Sequence, residues 1–421
     1  MTEAGPPAAG APVKHNAYRA FRNRDFRWYI FSTFTMTLGS QLRAVVVGWQ
    51  VYTITHDALS LGLIGLAEAL PFIAVALPAG YVADRWNRRS VSILAMFVLA
   101  LCSVTLLLLS ATNGLLVRTG VWPIYAVIFT SGIARSVLQP ARQALGAELV
   151  PRSALENAIA WRSSTWQTAA VAGPAIGGLI YGFRGPVAAY SVDACLTALA
   201  LVGIVVMRYT PGQRTVGRAS MAKDLLSGLS FVWSQPVILG ALSLDLFSVF
   251  LGGAEALLPV FASEILHVGP QGLGILRAAP AFGAVSMGVF LAHRSPIERA
   301  GRTMLIAVGT FALAIIGFGL STSFWLSLIL LGVSGMADSV SVVIRSTLLQ
   351  LLTPSEMLGR VSAVNYVFVG SSNELGAFES GVAARVFGTV PAVVAGGVAA
   401  LAVVVLTARV VPALRRLERI A

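Results

Sequence analysis

Long apolar stretches alternate along this chain with short polar or basic breaks. Twelve stretches reach the roughly 20 residues that a helix needs to cross a bilayer: 28–52, 60–83, 90–112, 121–143, 156–182, 186–207, 236–262, 270–292, 302–321, 323–347, 362–388 and 390–411. The pattern predicts an all-α integral membrane protein. Some connections are tight, such as the one at Gly185-Pro186. The one long internal break, 208–235, is polar at first. From Ser220 to Trp233 apolar residues recur at helical spacing with charges between them. That pattern predicts an amphipathic helix lying on a membrane surface; a plain polar linker is the alternative.

An internal repeat organises the twelve stretches. A shift of 203 residues aligns Ser131-Gly132-Ile133-Ala134-Arg135-Ser136-Val137 with Ser334-Gly335-Met336-Ala337-Asp338-Ser339-Val340. The same register pairs Arg142 with Arg345, Pro151 with Pro354, Gly173 with Gly376 and Gly178 with Gly381. The chain therefore reads as two parallel six-helix halves, 28–207 and 236–411, joined by the 208–235 linker. Segments 1–27 and 412–421 are tails. Two parallel repeats with a site between them form a transporter architecture.

Composition and charge narrow this further. Of 421 residues, 56% are hydrophobic and only 11% charged, yet the formal net charge is +12. A soluble chain carries about 25% charged residues. Sorting the basic residues by connection puts twenty-one on the side that holds the N-terminus. Only Arg118 and Arg184 fall on the other side. By the positive-inside rule both termini are expected in the cytoplasm, with the protein spanning a bacterial inner membrane. The net charge then records topology, and no nucleic-acid partner is expected. Cys102 and Cys195 lie inside apolar runs, and the four histidines are scattered. Neither a disulfide framework nor a metal site is expected. Lys14 and Lys223 follow no Gly-rich run, so no phosphate-binding loop for ATP is present. Residues 1–27 lack the apolar core of a cleavable signal.

After the second stretch comes Gly80-Tyr81-Val82-Ala83-Asp84-Arg85-Trp86-Asn87-Arg88-Arg89. It resembles the signature loop between helices 2 and 3 of the major facilitator superfamily. That loop reads G-x-x-x-D-R-x-x-R followed by R or K. The resemblance implies a gate in which Gly80 permits close packing and Asp84 accepts from basic groups or a helix N-terminus. Arg85, Arg88 and Arg89 would lock the cytoplasmic side, with Arg142 and Arg345 as further gate residues. The second half keeps only a degraded copy, Gly288 to Arg294, with His293 in place of the acid. Gly173-Pro174-Ala175-Ile176-Gly177-Gly178 is similar to the helix-5 motif of the superfamily's exporters. Its small residues allow tight contact, and its proline a bend. Residues 139–158 resemble a branch that contains siderophore exporters, including enterobactin exporters, and macrolide efflux proteins. The implied fold is twelve transmembrane helices in two pseudo-symmetric halves.

Charges inside membrane helices are costly and call for a reason. Arg135, Gln139 and Arg142 share one helical face, as do Ser334, Asp338, Ser341 and Arg345. In the family resembled, spans 1, 4, 7 and 10 line the cavity. The expected cavity residues are Gln41, Arg43, Trp49, Arg135, Gln139, Asp245, Glu255, Asp338 and Ser341, with Arg162 and Trp166 from span 5. A carboxylate shielded from water favours its neutral form and exchanges protons near neutral pH. The proton-coupling candidates are Glu68, Asp245, Glu255, Asp338 and Glu374. Asp193 and Arg385 read as structural. The expected function is a proton-coupled exporter of a small organic molecule working by alternating access. Its partners would be substrate, protons and membrane lipids, and it would act as a monomer without a cofactor. A lipid or lysolipid flippase is an alternative, as is a channel or non-transporting sensor. No nucleophile–base pair suggests an enzyme.

Overall fold

The computed structural model describes residues 18–112, 114–208, 221–294, 298–354 and 356–417. Within these, the side chains of 76–85, 115, 117, 152 and 221–225 lie outside the described set. Nearly all of the described chain is helical. The first half contains α1 (Arg24–Thr55), α2 (Ala58–Arg85), α3 (Arg88–Ala111) and α4 (Trp122–Glu148). One continuous element, Leu155–Val206, follows. It holds two helices, α5 (155–184) and α6 (186–206), that meet at Gly185 with φ of 77°. That left-handed conformation suits glycine and lets the chain turn back without a loop. The second half contains α7 (Pro236–Gly252), α8 (Gly269–Ala292), α9 (Ala300–Leu320), α10 (Phe324–Leu352), α11 (Leu358–Phe387) and α12 (Thr389–Val410). A connecting helix, Met221–Ser234, covers most of the amphipathic segment; the preceding residues, 209–220, fall outside the described set.

Among the described residues, nine helical segments are long and apolar enough to cross a membrane; Leu155–Val206 counts as one of them. Trp122–Glu148 and Leu358–Phe387 are as long but more polar, and they carry Arg135 and Glu374. Polarity in these two helices is thus where function is to be sought. The expected seventh stretch is not one straight helix. α7 stops at Gly252-Gly253, and a 3-10 turn, Ala254–Leu257, leads to a wide-turned segment, Phe261–Ile265. Two consecutive glycines and Pro259 account for the break.

Helix starts are set locally. The Asn23 side chain accepts from the Asp25 amide at 2.8 Å and caps α1. It also donates to the Leu149 carbonyl, which fixes the start of α1 to the end of α4. Asn87 caps α3 in the same way, accepting from the Arg89 amide at 3.0 Å. These caps offset the unpaired amides at each helix start.

The repeat is visible residue by residue. Gly173 of α5 packs on α1, where an added Cβ would sit 2.6 Å from the Gln41 Cβ. Its repeat partner Gly376 of α11 packs on α7, where a Cβ would sit 2.9 Å from the Phe250 carbonyl oxygen. Gly178 of α5 crosses Gly274 of α8, and its partner Gly381 of α11 crosses Gly62 of α2. One register thus sets both the packing inside each half and the seam between halves. At the seam an apolar cluster joins Trp49, Tyr52 and Leu61 of the first half to Leu257, Phe261 and Leu273 of the second.

Candidate functional site

A cavity of about 150 Å³, lined by charged and aromatic side chains, lies between the halves. Glu68 and Phe72 of α2 enter it one turn apart, and Arg135 and Gln139 of α4 face them. On the other side Tyr366, Gly370 and Glu374 of α11 form a stripe at intervals of four residues. Glycines admit the bulky groups. A Cβ on Gly132 would lie 2.6 Å from the Pro71 ring, and one on Gly370 would lie 2.6 Å from the Phe72 ring. Phe72 and Tyr366 therefore meet across the seam with ring centroids 5.7 Å apart.

The charges form a chain across the seam. The Arg135 Nη1 lies 3.1 Å from the Glu68 Oε1, and both side chains are part-exposed to the cavity, at 41% and 27%. Glu374 of α11 lines the same cavity, within electrostatic range of Glu68 and Arg135. Arg135, Glu68 and Glu374 thus form one charged group that spans both halves. Of the expected cavity residues, Arg135 and Gln139 line this space. Glu68 and Glu374 were expected only as proton sites. Phe72 and Tyr366 were missed, although Tyr366 stands one and two turns from Gly370 and Glu374.

Other expected residues lie elsewhere. Arg43 is not in the cavity. It points into the first half, pairing with Asp193 of α6 at 3.3 Å and donating to the Ser103 Oγ at 2.9 Å. Gln41 packs against Gly173, and Trp49 is buried in the apolar seam. Asp245 of α7 is buried against Arg345 of α10. That pair lies within the second half, and neither residue lines the central cavity. Asp338 and Ser341 line a separate, much smaller space with Asp245, and Glu255 is exposed in the turn after α7, within electrostatic range of Asp338. Arg162 is half-buried and within electrostatic range of Arg142, and Trp166 is 54% exposed.

The side chains of Gly80, Asp84 and Arg85 fall outside the described residues, so the signature loop is defined there by backbone alone. Arg88 pairs with Glu148 of α4, and Arg89 donates to the Val205 carbonyl of α6 at 2.7 Å. Both contacts stay within the first half. The Arg142 carbonyl accepts from the Tyr29 hydroxyl at 3.1 Å. In the helix-5 motif Gly173 and Gly177 face α1, and Gly178 faces α8. Pro174 lies inside the helix, and Gly185 is the residue with non-helical angles.

At the end of the bundle opposite the start of α1, polar pairs tie the halves together. Asp57 accepts from Arg385 at 3.0 Å, and the Tyr52 hydroxyl donates to Glu264. The Gly62–Gly381 and Gly178–Gly274 crossings lie at the same end.

Comparison with known proteins agrees with this architecture. A family model described as "Transmembrane secretion effector", of the major facilitator type, matches residues 15–420. The enterobactin exporter EntS of Escherichia coli O81 (strain ED1a) is 30% identical over 345 residues, covering 80% of each chain. The enterobactin exporter EntS of Citrobacter koseri is 28% identical over 341 residues, again covering 80% of each. Among solved structures, an inward-facing, unoccupied bacterial homologue of the human lysosomal transporter Spinster superposes with a TM-score of 0.73. Identity there is 17%, with 95% of this chain and 99% of that one covered. A POT family transporter in complex with 5-aminolevulinic acid gives a TM-score of 0.70 at 11% identity, covering 93% and 97%. Matched over nearly its whole length, the chain belongs to the transmembrane secretion effector family of major facilitator transporters, and it is a multi-pass membrane protein.

Proposed function

We propose that this transporter is a proton-coupled exporter of a small organic molecule of the siderophore type. The supporting observation is the Arg135–Glu68–Glu374 chain across the seam. Two carboxyls facing one cavity beside a single arginine repel one another when both are ionised, so the group takes up a proton while the halves are apposed there. Removing or adding that proton changes the attraction between α2 and α11, which biases the balance between two arrangements of the halves. The basic end, where α1 starts, faces the cytoplasm, and the bacterial inner membrane surrounds the bundle. Substrate enters from that side, displaces the contacts that close the cavity, and leaves on the other.

The cavity chemistry suits an aromatic, electron-rich or anionic ligand. Arg135 supplies charge, Gln139 hydrogen bonds, and Phe72 and Tyr366 stacking surface. At about 150 Å³ the space is smaller than the roughly 300–1,000 Å³ of a typical ligand site. Loading therefore requires the halves to part, as alternating access demands. The enterobactin exporters among the relatives favour a catechol-bearing cargo.

The test is flux in liposomes holding the purified protein. A catecholate siderophore should move faster when the pH gradient is imposed than when it is collapsed. Glu68→Gln and Glu374→Gln should each remove that dependence. Equal gradient dependence in the wild type and both variants would sink the proton assignment. No movement of catecholates alongside efficient movement of a macrolide or a cationic dye would sink the substrate assignment.

A further inference from the structure

The relation between the halves inverts one charge. A shift of 209 residues pairs Gly65, Glu68 and Pro71 of α2 with Gly274, Arg277 and Pro280 of α8. Packing follows the same pairing. Pro71 sits on Gly132 of α4, and Pro280 sits on Gly335 of α10, the repeat partner of Gly132. Gly65 meets the Glu374 carbonyl of α11, and Gly274 meets the Pro174 carbonyl of α5. Arg277 therefore holds in the second half the place that Glu68 holds in the first.

Its pairing is different. Glu68 lies 3.1 Å from Arg135, whose repeat partner is Asp338. By symmetry Asp338 would receive Arg277. Yet among the described residues no acid lies within ion-pair distance of Arg277. Asp338 is within electrostatic range of Glu255 instead. Arg277 is half-buried in a helix apolar enough to cross the membrane, where an unpaired charge is costly. The acid within its electrostatic range is Glu374, on α11 of the same half.

Glu374 thus has three charged neighbours, and they divide by half. Glu68 and Arg135 belong to the first half and Arg277 to its own. Other described charges on the elements packed against α11 are engaged or distant. Asp245 of α7 pairs with Arg345, and α12 brings only Arg409 in its last turn. When α2 and α11 part, Glu374 loses Glu68 and Arg135 and keeps Arg277. We propose that Arg277 is the counter-charge of Glu374 in the parted arrangement, so that the Glu374 carboxylate exchanges Arg135 for the Arg277 guanidinium as the halves separate. Each half then holds one acid and one base, Glu68 with Arg135 and Glu374 with Arg277. The guanidinium stays protonated throughout. The proton held by the apposed group leaves to water, and the carboxylate it uncovers forms the new pair. Reprotonation from water breaks that pair and lets the seam close. This proton cycle rests on the function proposed above; the pair itself does not.

The test uses the full chain in liposomes, with Cys102 and Cys195 replaced by serine. Spin labels are placed on cysteines at Arg118 and Phe387, exposed positions of the two halves at the end opposite the start of α1. Pulsed electron resonance then reads the ratio of parted to apposed molecules across a pH series. The parted fraction should grow as pH rises. At alkaline pH Arg277→Gln should lower the ratio by about tenfold, and Arg277→Lys by much less. In a Glu374→Gln background Arg277→Gln should have no further effect. An unchanged ratio in Arg277→Gln overturns the pair. An undiminished effect of Arg277→Gln in the Glu374→Gln background gives Arg277 another partner and overturns it too. So does an Asp338→Asn variant that reproduces the loss, because Asp338 would then be that partner. A wild-type ratio that ignores pH overturns the proton cycle alone; the double-variant comparison at one pH still decides the pair.

Discussion

Arg43 and Arg135 are both arginines inside membrane helices, and they do opposite things. Arg43 is enclosed with Asp193, whose side chain is 0% exposed. Removing one partner of such a pair strands a buried charge, at a cost of about 3–5 kcal/mol. Arg43→Ala and Asp193→Asn should therefore each lower the unfolding temperature sharply in detergent and reduce yield; normal unfolding would contradict the structural role. Arg135 is 41% exposed to the cavity, and its pair with Glu68 is part-hydrated. Pairs that reach water contribute about 0–1 kcal/mol. Arg135→Ala should leave unfolding nearly unchanged and still abolish gradient-driven transport. A large drop in unfolding temperature would make Arg135 structural instead. Helical phase in the sequence could not separate the two arginines, because it gives relative positions on a helix and not the absolute rotation. The distinguishing signal was a stripe on α1. Gly39, Arg43 and Gln50, four and seven residues apart, all face inward to α3 or α6. Gly39 lies beside Asp193, and Gln50 meets Ser110 at 3.0 Å and Tyr190 at 2.8 Å. Reading that stripe needs its partners, which lie 60 or more residues away.

Helix positions were legible because hydrophobic length and glycine–proline breaks are local properties. The seam was partly legible, since the repeat register already paired Gly178 with Gly381. What those glycines touch was not, because α2 and α8 lie far from them in sequence. The close crossings make an element-level prediction. A Cβ on Gly381 would lie 2.6 Å from the Gly62 Cα, against backbone that cannot move aside like a side chain. Overpacking of this kind costs about 1–3 kcal/mol, and here it falls on the arrangement in which the two halves touch. Gly62→Val and Gly381→Val should slow transport by making closure at this end unfavourable. Gly309→Ala in α9 is the matched control. Its added Cβ meets nothing within 4 Å. A helix-interior glycine replaced by alanine gains about 0.5–1 kcal/mol, so stability should rise slightly with transport intact. Equal effects at the seam and at Gly309 would show that glycine itself, not close approach, is what matters.

For the whole molecule, the question is whether the end closed by Asp57–Arg385 and Tyr52–Glu264 must open during each cycle. These pairs, with the glycine crossings, hold the halves together on the side opposite the start of α1. The central Arg135–Glu68–Glu374 group lies between them and the basic end. If transport alternates, this end must part to release cargo, and tying it shut must stop the cycle after loading. Cys102 and Cys195 are replaced by serine first, because both are free thiols and Cys195 is exposed. Cysteines are then placed at Asp57 and Arg385 and joined with a short cleavable thiol cross-linker. The unlinked double variant should transport, more slowly than the parent because the latch is gone. The linked form should still bind a catecholate siderophore from the basic side while moving none of it. Cleaving the linker should restore flux. Full-rate transport by the linked protein would mean that the halves need not separate here, and that the cargo takes a path other than the seam between α2 and α11.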